Sequence, residues 1–364
     1  MRTVFPIIMM AVIVGANIYV AVRIWQILPH SFLLRLFAVV LYLGCMVGMF
    51  SAFGGTLDKM PLKVASLSYE VFNTWLIFFL YALIAFIVID ILKAVHLFPE
   101  ALSRNSFWGS LIVLGGVGAL LYAGNLHYRN KVKETMEISS EKVSGQPLRI
   151  LLASDLHLGY HNRKDELARW VDIINAEKPD LVLIGGDIID MSARPLVEWN
   201  YAEEFHRIEA PVYCVLGNHE YYSGDKFAEQ FYSSSGIHLL RDETASVMGI
   251  EIIGRDDRTN RNRKPLSELM EGVDRSKFTI LLDHQPSDLD EAEKAGVDFQ
   301  FSGHTHRGQV WPISWVTDAI FEDSWGPYQK GDTRYYVSSG LGIWGAKIRI
   351  GTRSEYLVLE LSGK

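Results

Sequence analysis

The chain has 364 residues, with 35 lysines and arginines against 42 aspartates and glutamates, for a formal net charge of −7. That length gives room for two domains, each long enough to bury a core. The acidic balance excludes a protein that coats nucleic acid, and the two cysteines, Cys45 and Cys214, exclude a disulfide framework or a thiolate-rich metal site.

Charge is split along the chain: residues 1–125 hold only 11 charged side chains and net +3, and the remainder nets −10. Charge-free stretches at 3–22, 36–57, 71–89 and 105–128 each approach the ~20 residues that cross a bilayer as helix. They predict an all-α transmembrane domain over 1–128 with four spans, which makes the chain a multi-pass integral protein of the cell membrane with the lipid bilayer as a partner. The first stretch lacks the cleavage site of a secretory leader, and three more spans follow. An even number of spans returns the polar part to the starting side. Arg2, Lys59, Lys63, Arg129, Lys131 and Lys133 lie on that side, against Arg23, Arg35, Lys93 and Arg104 opposite, which favours a cytoplasmic location for it. Asp90, at a span end, reads as a solvated interfacial carboxylate. Residues 129–147 are polar and lack apolar periodicity, as a linker would.

Beyond the linker, short branched apolar runs alternate with polar turns and helical stretches, the pattern of an α/β fold. Strands are expected at 148–153, 180–184, 211–216, 278–282 and 297–301, with a further one at 250–253. The clearest helix is 165–178, whose Leu167, Trp170, Val171 and Ile174 form one apolar stripe. Five of these strands end in loops bearing oxygen or nitrogen donors: Asp155 and His157, Asp187, Asn218 and His219, His284, and His304 and His306. In α/β folds, ligands gather outside the carboxyl ends of strands. One such histidine alone reads as a satisfied core residue; five donor-bearing strand ends read as a metal site.

The blocks Asp155-Leu156-His157, Gly185-Gly186-Asp187, Gly217-Asn218-His219-Glu220, His284 and Gly303-His304-Thr305-His306 resemble, in order, the signature of the calcineurin-like metallophosphoesterase superfamily. The resemblance spans 148–362 and implies an αββα two-sheet sandwich as the domain at 148–364. The run GHTH followed by Gly308-Gln309 resembles the membrane-associated branch that acts on phosphodiesters or lipid-linked phosphates, in which many members carry glycine at the place of Arg307. By this resemblance Asp155, His157 and His306 hold one divalent metal ion, Asn218, His284 and His304 hold a second, and Asp187 bridges them. His219 protonates the leaving group or hydrogen-bonds the transition state. Carboxylate, amide and imidazole donors suit manganese, iron, zinc or nickel without distinguishing them. Two such ions about 3.5–4 Å apart lower the pKa of a shared water and hold phosphate oxygens, so no protein nucleophile is needed. Glu220 either fixes the His219 tautomer or caps a helix or pairs a charge.

Substrate contacts are less specified. Arg255 leads a basic segment, with Arg258, Arg261, Arg263 and Lys264, that either meets a second phosphate or is a solvated loop. Arg307 either contacts substrate or forms a structural ion pair. His161, with Tyr160, Tyr221 and Tyr222, either lines the pocket or packs beneath the loops. The segment 311–328, with Trp311, Trp315 and Trp325, reads as a packed cover over the sandwich, with a membrane-facing surface as the alternative.

The leading expectation is a membrane-anchored binuclear phosphoesterase for a phosphodiester or pyrophosphate in a lipid-linked substrate, since tethering suits a substrate confined to the same surface. Related enzymes cleave the pyrophosphate of a UDP-diacylglucosamine intermediate. The alternatives are a phosphomonoesterase for phosphoprotein or nucleotide, or a non-catalytic receptor or scaffold stabilised by metal. The presence of His219 argues against the last, and no nucleic-acid partner is expected.

Overall fold

The computed structural model describes residues 4–364, so Arg2 and the start of the first span at Thr3 lie outside the described residues. Two compact units emerge: the chain up to Leu126 with Gly345–Ile348, and His127–Trp344 with Arg349–Lys364.

The first unit contains helices α1 (Val4–Ile27), α2 (Phe32–Phe53), α3 (Leu62–Ala94) and α4 (Phe107–Arg129), each long and apolar enough to cross a membrane. Serine caps start two of them, as Ser31 accepts from the Leu34 amide and Ser106 from that of Gly109. Val20, Ile24, Tyr42, Trp75, Ala82 and Phe86 pack inside, whereas Leu33 and Phe37 remain 74% and 66% exposed. Apolar side chains turned outward are what a lipid solvent permits. Helix α3 has 33 residues and runs well past the expected 71–89. Asp90 accordingly falls within it near its end, where its side chain is 40% exposed, pairs with Arg23 at 2.8 Å and accepts from the Tyr19 hydroxyl at 2.6 Å. Arg23, expected in a loop, lies inside α1.

The first strand of the second unit is β1 (Lys131–Ser140), and this corrects the linker expected at 129–147. Val132, Met136 and Ile138 alternate inward, but Glu134 interrupts the apolar pattern and hides it; its charge is met by Arg353 at 2.7 Å. The further elements are β2 (Leu148–Ala153), α5 (Lys164–Ala176), β3 (Leu181–Ile184), β4 (Val212–Cys214), α6 (Asn218–Ser223), α7 (Asp225–Ser234) and β5 (Ile237–Leu239). They are followed by β6 (Glu243–Val247), β7 (Ile250–Gly254), β8 (Phe278–Leu282), α8 (Leu289–Ala295), β9 (Phe299–Ser302), α9 (Ile313–Ile320), β10 (Gly326–Lys330), β11 (Thr333–Val337) and β12 (Ser354–Gly363).

One sheet has the order β1-β12-β2-β3-β4-β5 and the other β10-β11-β9-β8-β7-β6. Strand alternation builds the layers. Ile150, Leu152, Leu181 and Leu183 face Ile252, Ile280, Leu282 and Phe301 between the sheets. Leu151, Ala153, Val182 and Ile184 face outward onto Trp170, Val171 and Ile174 of α5. Ile253 and Leu281 turn from the second sheet onto Leu289 and Ala292 of α8. The result is the two-sheet sandwich flanked by helices that the resemblance implies. Strands β2, β3 and β4 run parallel, as do β8 and β9, so their carboxyl ends share one edge of each sheet.

Candidate metal centre

Every donor-bearing block follows one of those parallel strands: Asp155 and His157 after β2, Asp187 after β3, Asn218 and His219 after β4, His284 after β8, His304 and His306 after β9. Backbone bonds stitch the loops together, with His157 N–H donating to the Asp187 carbonyl at 2.9 Å and Gly303 N–H to that of His284 at 2.9 Å. The sheets are joined at the site by His304 N–H donating to the Asp155 carboxylate at 3.0 Å. Asp155, His157, Asp187, His304 and His306 all adopt positive φ, from 45° to 71°. Non-glycine residues pay for that conformation only where surrounding structure imposes it, commonly at functional sites. Two close approaches require glycine. A Cβ on Gly217 would strike the Asp187 carboxylate, and one on Gly303 the Asp155 carboxylate.

The donors fall into overlapping groups: Asp155, His157 and His306; His157, Asp187 and His219; and Asp187, His284 and His304. In the first, the Nε2 atoms of His157 and His306 are 3.0 Å apart and lie 3.8 and 3.5 Å from Asp155 Oδ1. Ligands bound at about 2.1 Å around one cation are themselves roughly 3–3.5 Å apart, so this triangle fits a divalent metal. In the last, His284 donates Nδ1–H to the Gly185 carbonyl at 2.7 Å, which turns Nε2 toward the site, 3.1 Å from Asp187 Oδ2. Asn218 Oδ1 joins this group 2.8 Å from His304 Nδ1. Asp187 Oδ2 also lies 3.7 Å from His157 Nε2, so one carboxylate oxygen neighbours both groups.

Electrostatics support the same fit. Burial alone would raise Asp155 and Asp187, yet the surrounding histidines outweigh it and hold both carboxyls below the usual range. Burial likewise disfavours charge on His157, but Asp155 and Asp190 push it up to about 10; Asp187 and Asp155 push His284 well above the ordinary value. His306, by contrast, is driven down to about 3 by burial and by its charged neighbour His157. Without a cation the buried carboxylates therefore draw protons onto imidazoles, which a divalent ion would displace.

Glu220 takes the helix-capping alternative, as the N3 residue of α6 whose carboxylate reaches back to the Gly217 amide. Its Oε2 accepts from Gly217 and Asp187 amides at 2.6 and 3.1 Å, and its Oε1 accepts from the Ile189 amide and the Tyr232 hydroxyl, tying two donor loops together. The partner of His219 is Asp190, whose Oδ1 lies 3.1 Å from His219 Nδ1 and 3.5 Å from His157 Nδ1. Asp190 went unrecognised in the sequence; its signal is a second carboxylate three residues past Asp187 in GGDIID. His161 is not a substrate contact, because its ring is fully buried, with Nε2 on the Ile343 carbonyl at 2.7 Å and Nδ1 facing Asp190 at 3.8 Å.

Arg255 is likewise committed elsewhere, as Asp283 and Glu291 take its guanidinium at 3.3 and 2.5 Å. Of the four expected pocket residues after the metal loops, Tyr160 is buried and Tyr221 donates to Asp256 at 2.6 Å; only Tyr222 sets its ring against His219, 5.1 Å between centroids. Arg307 remains beside the site, its guanidinium 4.0 Å above the Trp325 ring and its buried Nε without a hydrogen-bond partner among the described residues. Arg349, also unforeseen, is buried beneath the last loop and donates to the His306 carbonyl at 2.8 Å and the Gly342 carbonyl at 3.2 Å.

Residues 148–308 match the calcineurin-like phosphoesterase family. An uncharacterized metallophosphoesterase of Campylobacter jejuni is 31% identical over 273 residues, 72% of this chain and 71% of that protein. A transmembrane protein with metallophosphoesterase domain of Danio rerio is 28% identical over 345 residues, 87% of this chain and 78% of its own. Among solved structures, a 5'-nucleotidase precursor from Thermus thermophilus is similar at 17% identity and a TM-score of 0.37, covering 59% of this chain and 55% of that one. The chain belongs to the calcineurin-like metallophosphoesterase family, and it is a membrane protein with four apolar helices preceding that domain.

Proposed function

We propose that the protein is a membrane-anchored, metal-dependent phosphodiesterase or pyrophosphatase with two divalent ions and a lipid-linked substrate. The observation that carries the two-ion reading is Asp187 Oδ2, within 3.7 Å of His157 and 3.1 Å of His284, each in a separate donor group. Asp155, His157 and His306 would hold one ion, Asn218, His284 and His304 the other, with Asp187 shared. When bound, such ions supply an activated water and neutralise the phosphate oxygens.

The chain's own residues provide the rest. Asp190 Oδ1, 3.1 Å from His219 Nδ1, would orient the ring by its charge, leaving Nε2 to hold and deliver a proton to the departing oxygen. Arg307, still beside the loop among the expected substrate contacts, offers its guanidinium to a non-bridging phosphate oxygen. The anchor favours a substrate held in the same bilayer, of which a UDP-diacylglucosamine-type pyrophosphate is one candidate, and the loop charges favour a cytoplasmic domain.

Detergent-solubilised protein with manganese, assayed on phospholipids, sugar-nucleotide lipids and a water-soluble phosphomonoester, tests this reading. Cleavage of the lipid diesters or pyrophosphates supports it. Cleavage of the monoester alone transfers the assignment to a phosphomonoesterase.

A further inference from the structure

Helix α9 does not form the packed cover expected from its tryptophans. Trp315 is 64% exposed, Val316 51% and Ile320 69%, and Trp311 and Ile313 are each 39% exposed. Elsewhere in the second unit, among the described residues, exposed large apolar side chains occur singly, at Val197, Tyr222 and Met248. Scattered examples need no explanation, whereas five within ten residues make a patch. Trp311 and Trp315 meet edge to face with centroids 5.4 Å apart, so the patch has a rigid aromatic end.

The helix is locked to the metal loop at both ends. Gly308 packs so tightly against the Ile313-Ser314 backbone that a Cβ would come within 2.6 Å of it. At the other end, the Phe321 ring sits edge-on to the ring of His304, 6.2 Å between centroids. A Thr305 hydroxyl donating to the Ser324 carbonyl at 2.7 Å closes the same loop. Whatever surface α9 rests on thereby fixes the height of His304 and His306 above it.

We infer that α9 is an interfacial helix that lays its apolar face into a lipid bilayer and seats the metal-bearing loop at headgroup level. Indole rings and branched aliphatics on one face, with Asp318 as the only charge in the helix, match the composition of such elements and make the contact apolar in character. Eight residues bind lipid weakly on their own, but the four apolar helices of the same chain keep a bilayer at high effective concentration. The inference deepens the lipid-linked substrate reading, since a headgroup phosphate would meet the donors without leaving its leaflet; its test reads lipid contact and not turnover.

The full chain carrying Cys45→Ala is labelled with an environment-sensitive fluorophore at Val316→Cys, or at Val197→Cys as control, and placed in phosphatidylcholine nanodiscs; Cys214 is buried and stays unlabelled. A lipid bearing a nitroxide high on its acyl chain is expected to quench the label at 316 about threefold more than at 197, with iodide showing the reverse order and added salt changing neither. Adding Trp315→Asp and Ile320→Asp is expected to abolish the lipid quenching at 316, which excludes insertion driven by the label itself. Equal quenching at both positions overturns the inference, as does shielding from iodide without lipid quenching, which would mean a protein cover. Hydrolysis of a soluble diester by the same preparations reports separately on the phosphoesterase reading.

Discussion

Asp190 Oδ1 lies 3.1 Å from Nδ1 of His219, both groups almost wholly withdrawn from solvent. A buried carboxylate in this position orients the imidazole ring. Asp190→Asn is expected to lower kcat about 10- to 100-fold while bound metal, measured by elemental analysis, is retained. The loss should shrink for a substrate whose leaving group needs no proton; an equal loss for both substrates would separate Asp190 from proton transfer.

His219→Ala removes the proton donor and leaves the other donors in place. Turnover of an unactivated diester should fall about 10²- to 10⁴-fold, and far less for a substrate whose leaving group needs no proton. A similar loss for both substrates would instead implicate His219 as a metal ligand, consistent with its proximity to His157 and Asp187.

Asp187 neighbours both donor groups, so Asp187→Asn should lower metal content at both positions. Metal-to-protein stoichiometry after dialysis checks this; loss of only one equivalent would confine Asp187 to one site.

Five donor residues hold left-handed backbone in loops stitched to one another. A cation held at about 100 times its Kd contributes about 2.7 kcal/mol to the folded state. Chelation should therefore lower the unfolding midpoint of the polar unit by roughly 5–10 °C, with recovery on adding manganese. A midpoint indifferent to chelator would mean that the folded protein holds no exchangeable cation.

Asp323 is buried, with one carboxylate oxygen lacking a hydrogen-bond partner among the described residues, and burial pushes its pKa up to about 6. An acid raised on folding keeps its proton where the unfolded chain has released it. Stability falls as pH rises from the unfolded value near 4 to about 6, and the deficit persists above. Asp323→Asn should therefore stabilise the protein at neutral pH by about 1 kcal/mol, allowing for solvent screening of a partly accessible group, and have little effect at pH ~4. Denaturant melts at the two pH values decide it.

The ligand blocks were legible because their chemistry is local: each donor sits within a few residues of the strand that delivers it, as His284 does two positions after Leu282. The layers were legible from alternation, and β2 and β8 lie within their expected bounds. What the sequence concealed depended on distant partners. Glu134 masks the period of β1 until Arg353 is placed opposite it. Asp190 and Arg349 look like ordinary surface charges until the fold buries them against His219 and the His306 carbonyl. Arg255 has the composition of a phosphate contact, but Asp283 and Glu291 reach it first. The tryptophans near α9 announce an amphipathic surface, and only their exposure shows that the described residues of the chain leave it uncovered.

Trp325 stands between two guanidiniums, Arg307 at 4.0 Å and Arg353 at 4.7 Å from its ring. An indole so placed is a built-in optical gauge, since an anion that draws Arg307 off the ring changes the field acting on its excited state. Comparing emission with that of Trp325→Phe would report ligand arrival in the resting enzyme, before any bond is cleaved and without knowledge of the leaving group.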